Sequence, residues 1–181
     1  MDRYRSALIL GGARSGKSRV AQQIAEAASA ERVFIATAQA FDDEMRDRIA
    51  RHQADRDIHW RTREASLDLA DAILAEAAPG RAVLVDCLTL WLSNVILAER
   101  DPGPETERLV DAVSSAAGPL VLVSNEVGQG IVPATALGRL FRDAQGRLNQ
   151  RIAETAQAVV LVTAGIPRMV KPTPAFRLDL A

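Results

Sequence analysis

The sequence predicts an α/β protein with a mainly parallel sheet that is flanked by helices. Short apolar runs rich in Val, Ile and Leu recur along the chain, and each run is continuous rather than alternating. Strands that are buried on both faces of a parallel sheet have this pattern. Segments with helical spacing lie between the runs, as the right-handed crossovers of a parallel sheet require.

The order of these elements follows from the apolar runs and the segments between them. Strands are predicted at residues 6–12, 32–38, 81–88, 119–127 and 158–165. Helices are predicted at residues 17–29, 42–56, 66–78, 105–117 and 134–156. Residues 98–106 contain two prolines and a glycine, which predicts an exposed loop. Three prolines in residues 167–181 favour a short edge strand or an irregular tail from about residue 172.

The composition is that of an ordinary globular protein, with 48% hydrophobic and 25% charged residues. The length of 181 residues suits a single domain spanning residues 1–181. A net charge of −1 gives no basic field, which argues against nucleic acid as a main partner. The single cysteine, the lack of a signal peptide and the short apolar runs predict a cytoplasmic protein without stable membrane insertion.

The first apolar run leads into GGARSGKS, which matches the pattern G-x-x-x-x-G-K-[ST]. Glycines allow successive backbone N–H groups to point into one anion-sized hollow, and the following helix adds the positive end of its dipole. A glycine-rich turn with a chance Lys-Ser pair is the alternative, but the flanking strand and helix argue against it. We therefore predict a P-loop NTPase of the RecA-like type. Its predicted nucleotide-binding residues are Gly11, Gly12, Ala13, Arg14, Ser15, Gly16, Lys17 and Ser18.

Three side chains are expected to act on the triphosphate. Lys17 is a predicted catalytic residue because it should reach the β- and γ-phosphates, and the Ser18 hydroxyl should ligate Mg²⁺. Asp86 ends the third apolar run, where the second acidic group of P-loop enzymes stands close to the magnesium ion. An acid at a strand end is often only a cap or turn residue, but the phosphate loop favours the magnesium role. The motif specifies a nucleoside triphosphate such as ATP or GTP, not a reaction.

The chain contains two histidines, His52 and His59. Met45, Ile49 and His52 share one face of the helix predicted at residues 42–56. Spacing alone favours a surface or half-buried helix residue for His52, because a lone histidine carries little functional information.

Seven segments, taken in order, resemble a single known family. They are GGARSGKS, ATAQAFDDEM, RIARHQADR, HWRTRE, VDCLTLWLSN, SNEVGQGIVP and FRDAQGRLNQRIA. This set is similar to the bifunctional adenosylcobinamide kinase/adenosylcobinamide-phosphate guanylyltransferases of cobalamin biosynthesis. The resemblance covers roughly residues 6–171 without long insertions, and NEVGQGIVP and R-I-x-x-H are far more specific than the phosphate loop.

The resemblance implies that His52, in the pattern R-I-x-x-H-x-x-x-R, is a nucleophile. It would take GMP from GTP as a covalent phosphoramidate and pass it to adenosylcobinamide phosphate. A neutral imidazole nitrogen is a competent nucleophile near pH 7, and the phosphoramidate is reactive enough to pass GMP onward. Pyrophosphate would leave from positions where Lys17, the loop amides and Mg²⁺ stabilise the developing charge. The implied first reaction is the phosphorylation of adenosylcobinamide by ATP or GTP.

The resemblance also extends to further nucleotide-contacting positions and to the assembly. The positions are Ala36, Thr37, Ala38, Gln53, Ala54, Asp55, Arg56, Glu64 and Asp86. A helix end is the competing structural interpretation for Ala54 and Asp55. The family further implies a homo-oligomer, with a trimer as the expected form and with sites near subunit boundaries.

Other residues keep open interpretations. Asn125 and Glu126 close the fourth apolar run at the edge where ligands bind in open α/β sheets. Glu126 could be the base for the hydroxyl of the kinase substrate, but a structural network is equally compatible. Trp91, His59 and Trp60 are interpreted as packing residues, with Trp91 also considered for contacts across subunits.

Two alternatives to the bifunctional enzyme are considered. A small-molecule kinase that catalyses one reaction would use the same loop and form no covalent intermediate. A P-loop switch or motor would hydrolyse nucleotide to drive partner binding, but the sequence has neither an N-K-x-D motif nor recognisable DNA-binding loops.

Overall fold

The computed structural model describes residues 4–38 and 58–173. In these ranges seven strands form one sheet: β1 (Ser6–Gly11), β2 (Glu31–Ala36), β3 (Trp60–Glu64), β4 (Arg81–Asp86), β5 (Leu120–Asn125), β6 (Ala158–Thr163) and β7 (Ile166–Lys171). Their spatial order is β3-β2-β4-β5-β1-β6-β7. All neighbouring pairs are parallel except β6 and β7, which are antiparallel. The predicted mainly parallel α/β sheet is confirmed.

Helices cover both faces of this sheet. The described helices are α1 (Lys17–Ala28), α2 (Leu69–Glu76), α3 (Leu88–Leu97), α4 (Pro102–Ser115) and α5 (Ala136–Thr155). Helix α1 packs on one face, and α2 to α5 pack on the other. Successive residues of a strand point to opposite faces, so Leu8 belongs to one core and Ile9 to the other. This two-sided burial is the reason that the strand sequences are continuous apolar runs. None of the described helices is both long enough and apolar enough to cross a bilayer.

Two elements differ from the sequence prediction. The sequence WRTRE forms β3, an edge strand that pairs in parallel with β2 and is largely exposed. The side chains of β3 are largely exposed on the faces of the sheet, so the strand needs no apolar run and its sequence gave no strand signal. Helix α3 was also missed, because its sequence LTLWLSNVIL is apolar on nearly all sides and continues from the apolar run of β4.

The predicted loop at residues 98–106 is wrong in its second half, where α4 begins at Pro102. The Asp101 side chain caps this helix by accepting a hydrogen bond of 2.9 Å from the Gly103 N–H. Proline suits the first helical turn because its nitrogen has no hydrogen to leave unpaired. The helix predicted at residues 42–56 lies outside the described residues.

Near the carboxyl terminus, β6 and β7 form a hairpin whose turn consists of Ala164 and Gly165. These two residues have φ values of 51° and 81°, and such left-handed pairs are typical of the tightest hairpin turns. Strand β7 is the edge strand considered for residues 167–181, and it begins at Ile166. Residues 174–181 lie outside the described residues.

Candidate functional site

The carboxyl ends of the six parallel strands meet at one edge of the sheet. The strand register places Ala36 beside both Glu64 and Asp86, and it places Gly11 beside Asn125. Ligands bind at this edge in open α/β sheets. The predicted phosphate loop and the predicted acidic positions Glu64 and Asp86 therefore share the edge where a nucleotide is expected.

The phosphate loop joins β1 to α1. Gly16 stands at the helix N-cap in the left-handed region with φ 91°, and Arg14 also has a positive φ of 56°. In the described parts of the chain no side chain caps α1 with a hydrogen bond. The free N–H groups and the positive dipole end of a helix start are suited to bind phosphate oxygens.

Close packing explains the glycine at the start of this loop. A Cβ atom on Gly11 would lie 2.5 Å from the Ser15 Oγ and 2.6 Å from the backbone oxygen of Val162. The second of these contacts is with backbone, which cannot rotate away. The curled shape of the loop therefore requires glycine at this position.

Lys17 is buried at the start of α1 and contacts its own loop. Its Nζ donates a hydrogen bond of 3.1 Å to the backbone oxygen of Gly12. The ammonium group therefore lies across the loop, where it can also contact the oxygens of a bound phosphate.

The end of β4 lies within the electrostatic reach of Lys17. Burial raises the pKa of the Cys87 thiol, the Asp86 carboxylate adds to the rise, and the Lys17 ammonium opposes it. Both Asp86 and Lys17 are therefore close enough to Cys87 to change its titration. Asp86 ends β4 and Lys17 begins α1 at the same edge of the sheet.

Ser18 and Asp86 have the chemistry of a magnesium site. A hydroxyl and a carboxylate are hard oxygen ligands, and Mg²⁺ commonly takes only one or two protein oxygens beside phosphate and water. Ser18 lies in the first turn of α1 and Asp86 ends β4 at the same edge of the sheet. Within residues 4–38 and 58–173, no group of three or more His, Cys, Asp or Glu side chains could hold a metal by itself. The two predicted ligands fit Mg²⁺ that is bound together with a nucleotide.

Thr37 ties the end of β2 to the end of β4. Its buried hydroxyl donates to the backbone oxygen of Cys87 at 2.7 Å and accepts from the Cys87 N–H at 2.9 Å. The side-chain amide of Asn94 donates to the backbone oxygen of Thr37 at 2.8 Å and to the backbone oxygen of Ser66 at 3.1 Å. The Thr37 side chain thus joins the ends of β2 and β4, and the role predicted for Ala36, Thr37 and Ala38 in nucleotide contact stays a prediction.

Asn94 was not singled out from the sequence. It is one of the few polar residues within the apolar helix α3, and it is buried there. A buried polar side chain in an apolar helix needs partners, and this requirement was the available signal.

The end of β5 contacts the phosphate loop directly. The Glu126 N–H donates a hydrogen bond of 3.2 Å to the backbone oxygen of Gly11. The Asn125 N–H donates to the Thr89 hydroxyl at 2.9 Å, which links β5 to the first turn of α3. Asn125 and Glu126 therefore stand between the phosphate loop and the helix that follows Asp86.

Two of the three residues predicted to pack do so, whereas the third, His59, is exposed. Trp91 is fully buried in the core of its own chain, where its Nε1–H donates to the Leu67 oxygen at 2.8 Å. Trp60 packs edge-to-face on Phe34, with 6.4 Å between the ring centroids, and Arg32 lies over its ring. The packing interpretation is confirmed for both tryptophans, and His59 contributes its backbone oxygen to a hydrogen bond from the Arg32 N–H. Because Trp91 is covered within its own chain, the idea of contacts across subunits is not needed.

The remaining predicted residues are placed unequally. Glu64 ends β3 and is exposed at the carboxyl edge of the sheet. The candidate nucleophile and its neighbours lie outside the described residues; they are His52, Gln53, Ala54, Asp55 and Arg56.

The site combines a glycine-rich loop, which joins a buried parallel strand to a helix, with a buried lysine and an acid at the end of another strand. These features define a P-loop NTPase. The family model described as "cobinamide kinase / cobinamide phosphate guanyltransferase" matches residues 7–170 of the sequence. The chain belongs to this family.

Individual relatives match over nearly their whole length. The chain is 48% identical over 170 residues to the bifunctional adenosylcobalamin biosynthesis protein CobP of Pseudomonas aeruginosa, covering 92% of this chain and 98% of that protein. It is 42% identical over 179 residues to the bifunctional adenosylcobalamin biosynthesis protein CobU of Salmonella typhimurium, covering 91% and 98% of the two chains.

Solved structures support the fold alone. The assembled ATPase EscN from the type III secretion system of enteropathogenic E. coli superposes with a TM-score of 0.55 at 12% identity. The match covers 89% of this chain and 43% of that chain. The family resemblance and the P-loop fold predicted from the sequence are both confirmed, and the family's two activities are those that the resemblance implied.

Proposed function

We propose that this chain is a bifunctional enzyme of adenosylcobalamin biosynthesis. It phosphorylates adenosylcobinamide with ATP or GTP and then transfers GMP from GTP to adenosylcobinamide phosphate. The products of the second reaction are adenosylcobinamide-GDP and pyrophosphate. The observation that carries the proposal is the family match over residues 7–170, which spans a complete phosphate loop.

In the kinase reaction the triphosphate binds along residues 11–18. The backbone N–H groups at the start of α1 donate hydrogen bonds to the phosphate oxygens, and the Lys17 Nζ turns from the Gly12 oxygen to the β- and γ-phosphates. Ser18 and Asp86 hold Mg²⁺, which neutralises charge on the phosphate oxygens when it is bound. The loop therefore orients the γ-phosphate and stabilises the charge that develops as it is transferred.

In the guanylyl transfer a neutral imidazole nitrogen of His52 attacks the α-phosphorus of GTP. The bond from the α-phosphorus to the bridging oxygen breaks, and pyrophosphate leaves towards Lys17 and the loop amides. A phosphate oxygen of adenosylcobinamide phosphate then attacks the same phosphorus, and the nitrogen–phosphorus bond breaks. The support for His52 is the R-I-x-x-H pattern. Residues 53–56 are proposed to help hold the guanylyl group, and residues 36–38 and Glu64 are proposed to contact the nucleotide.

The same family resemblance supports two statements about the working protein. The chain is proposed to act in the cytoplasm as a homo-oligomer, with a trimer as the expected form. Light scattering on the purified protein measures its mass and therefore the number of chains in the assembly. A mass equal to one chain would contradict the proposed homo-oligomer.

The decisive experiment labels the protein with GTP that is radioactive at the α-phosphate. The wild type is expected to gain acid-labile and alkali-stable label, as a phosphoramidate requires, and His52→Ala is expected to gain none. His59→Ala is the matched control, because it removes the chain's other histidine and should keep the label. An unlabelled wild type, or label that survives in His52→Ala, contradicts the histidine mechanism.

Product analysis with adenosylcobinamide and GTP separates the remaining possibilities. Formation of both the phosphate and the GDP-linked product is the expected result. The phosphate alone, without protein label, identifies a kinase that catalyses one reaction. Strong nucleotide hydrolysis without any corrinoid product identifies a switch or motor.

A further inference from the structure

A buried polar cluster lies behind the end of β5, and it consists of Ser124, Gln145 and Asn149. The Ser124 hydroxyl donates to the Asn149 Oδ1 at 2.7 Å. The Gln145 Nε2 donates to the same Oδ1 at 2.9 Å and to the Ser124 Oγ at 3.0 Å. All three side chains are buried. Two donors on one oxygen fix the orientation of the Asn149 amide, so its Nδ2 must point away from them.

The Nδ2 of Asn149 points to the chain segment next to the phosphate loop. It donates to the backbone oxygen of Asn125 at 3.0 Å and to the Glu126 Oε1 at 3.4 Å. The backbone N–H of Glu126 donates a hydrogen bond to the backbone oxygen of Gly11, the first residue of the phosphate loop. Glu126 is thus held by its backbone to the loop and by its carboxylate to Asn149.

Apolar side chains of the same size could fill the space between β5 and α5 without needing hydrogen-bond partners. The polar side chains differ from them in direction, because each donor is aimed at a particular oxygen. The cluster therefore provides a fixed direction for the Asn149 amide and, through it, for the Glu126 carboxylate.

We propose that Asn149 is a positioning residue for the kinase reaction, an inference that rests on the proposed function. It holds Glu126 beside the phosphate loop as the base for the acceptor. The acceptor's hydroxyl oxygen bonds to the γ-phosphorus as its proton passes to the Glu126 carboxylate. The bond from the γ-phosphorus to the bridging oxygen breaks, and the nucleoside diphosphate leaves.

This assignment separates the two reactions of the enzyme. Guanylylation of His52 needs no proton transfer from an acceptor hydroxyl, so it does not require Glu126. Loss of Asn149 is therefore expected to slow the kinase reaction and to spare the labelling of the protein by GTP. A general collapse of the fold would slow both.

The test compares Asn149→Leu with Gln145→Leu in the full chain. Both positions lie on α5 and are buried, but only Asn149 contacts Glu126. Asn149→Leu is expected to lower the kinase kcat about tenfold, as misplacement of a catalytic group does, with KM for ATP and the rate of GTP labelling within about twofold. Gln145→Leu removes one of the two donors to the Asn149 Oδ1 but keeps the Ser124 donor and the Asn149 donor to Glu126, so it is expected to lose less than about threefold.

Glu126→Gln completes the test through a double-mutant cycle. This single variant is expected to lower the kinase kcat by about a hundredfold, as loss of a general base does. Adding Asn149→Leu to it should cause little further loss, because the positioned group is already gone. Full additivity, equal loss of both reactions in Asn149→Leu, or a Glu126→Gln kinase rate close to that of the wild type each overturns the proposal.

Two further comparisons decide the test if Asn149→Leu does not fold or if the wild type has no kinase activity. Asn149→Ala removes the donor to Glu126 without placing a second carboxylate beside it, and it replaces Asn149→Leu if that variant does not fold. If neither folds, the half-buried Glu126→Gln decides alone, by whether it loses only the kinase reaction. A wild type without kinase activity contradicts the proposed function itself, which is a different result.

Discussion

The backbone N–H of Gly165 donates a hydrogen bond of 2.8 Å to the carbonyl oxygen of Ser15. The hairpin turn between β6 and β7 therefore supports the phosphate loop from the side opposite β5. The fit is close, because a Cβ atom on Gly16 would lie 3.2 Å from the Gly165 Cα. The antiparallel hairpin at the sheet edge thus packs against the phosphate loop and is not only an addition to the sheet.

Replacing Gly16 tests this contact. Gly16→Ala puts a Cβ against the Gly165 backbone at a residue with φ 91°, so the loop or the turn must move. We expect a loss of ATP affinity of about tenfold or more, measured by calorimetry, since tenfold corresponds to only about 1.4 kcal/mol.

Gly80→Ala is the control for that experiment. Gly80 has a similar φ of 80°, but an added Cβ would meet nothing within 4 Å in the described parts of the chain. Its backbone strain should lower the free energy of unfolding by about 1 kcal/mol and leave ATP affinity unchanged. If both variants bind ATP equally well, the packing of Gly165 on the loop has no role in binding.

An ion-pair cluster beneath β3 makes the stability depend on pH. The buried carboxylate of Glu76 pairs with Arg61 and accepts a hydrogen bond of 3.1 Å from Arg63. The hydrogen bond from Arg61 is the largest cause of the lowered pKa of Glu76. Because folding lowers this pKa, the stabilisation is complete above the ordinary glutamate pKa. It is lost as the pH falls through the lower pKa of the folded state.

Glu76→Gln is therefore expected to be less stable than the wild type by about 1–3 kcal/mol at pH 7. The difference should narrow as the pH falls below about 4, where the wild type loses the same interactions. Urea unfolding of both proteins between pH 7 and about pH 3 measures this difference in the free energy of unfolding. Glu31→Gln is the control, because the exposed Glu31 carboxylate pairs with Arg81 at 3.3 Å and should contribute less than about 1 kcal/mol. A difference for Glu76→Gln that does not change with pH would contradict this account.

The buried strands were predictable because their sequences must satisfy two cores at once. Leu8 and Ile9 are adjacent in β1 and enter different cores, so apolar residues cannot alternate with polar ones. The same reasoning misses β3, whose Arg61 and Arg63 are satisfied by Glu76 on α2. No pattern within the five residues of β3 shows that partner.

The phosphate loop was predictable because it is local, with all its residues within eight positions of the chain. The residues that support it are not local. Asn94 lies 57 positions from Thr37, and Asn149 lies 23 positions from Glu126. Hydrogen bonds over such separations depend on how helices dock on the sheet, which one sequence does not specify.

Two glycines within α5 are expected to respond differently to alanine. Gly146 lies inside the helix, and an added Cβ would meet nothing within 4 Å among the described residues. Gly146→Ala should stabilise the protein by about 1 kcal/mol, because alanine favours the helix more than glycine does. For a chain of this size that corresponds to a rise in Tm of about 2–4 °C, measured by calorimetry.

Gly138→Ala provides the comparison on the same helix. Its Cβ would lie 2.9 Å from the Pro133 Cβ and 3.0 Å from the Thr135 Oγ1. The Thr135 hydroxyl caps the helix by accepting from the Gly138 N–H at 3.1 Å. Crowding at the cap should cancel the gain in helix propensity, so Gly138→Ala is expected to leave Tm unchanged or to lower it. A rise in Tm similar to that of Gly146→Ala would show that the cap contributes little.

Cys87 is the only cysteine of the chain, and it reports on unfolding next to the nucleotide site. Burial blocks access to the thiol, and burial together with Asp86 raises its pKa, so the reactive thiolate is scarce. We expect a thiol reagent at pH 8 to react at least about a hundredfold more slowly with the folded protein than with the protein in urea. One thiol per chain should react in urea. Saturating ATP should slow the reaction further, because a ligand that binds only the folded state lowers the unfolded fraction. A rate in the folded protein equal to that in urea would contradict the burial of Cys87. Protection that ATP does not increase would mean that the thiol is reached by a local opening that does not involve the nucleotide site.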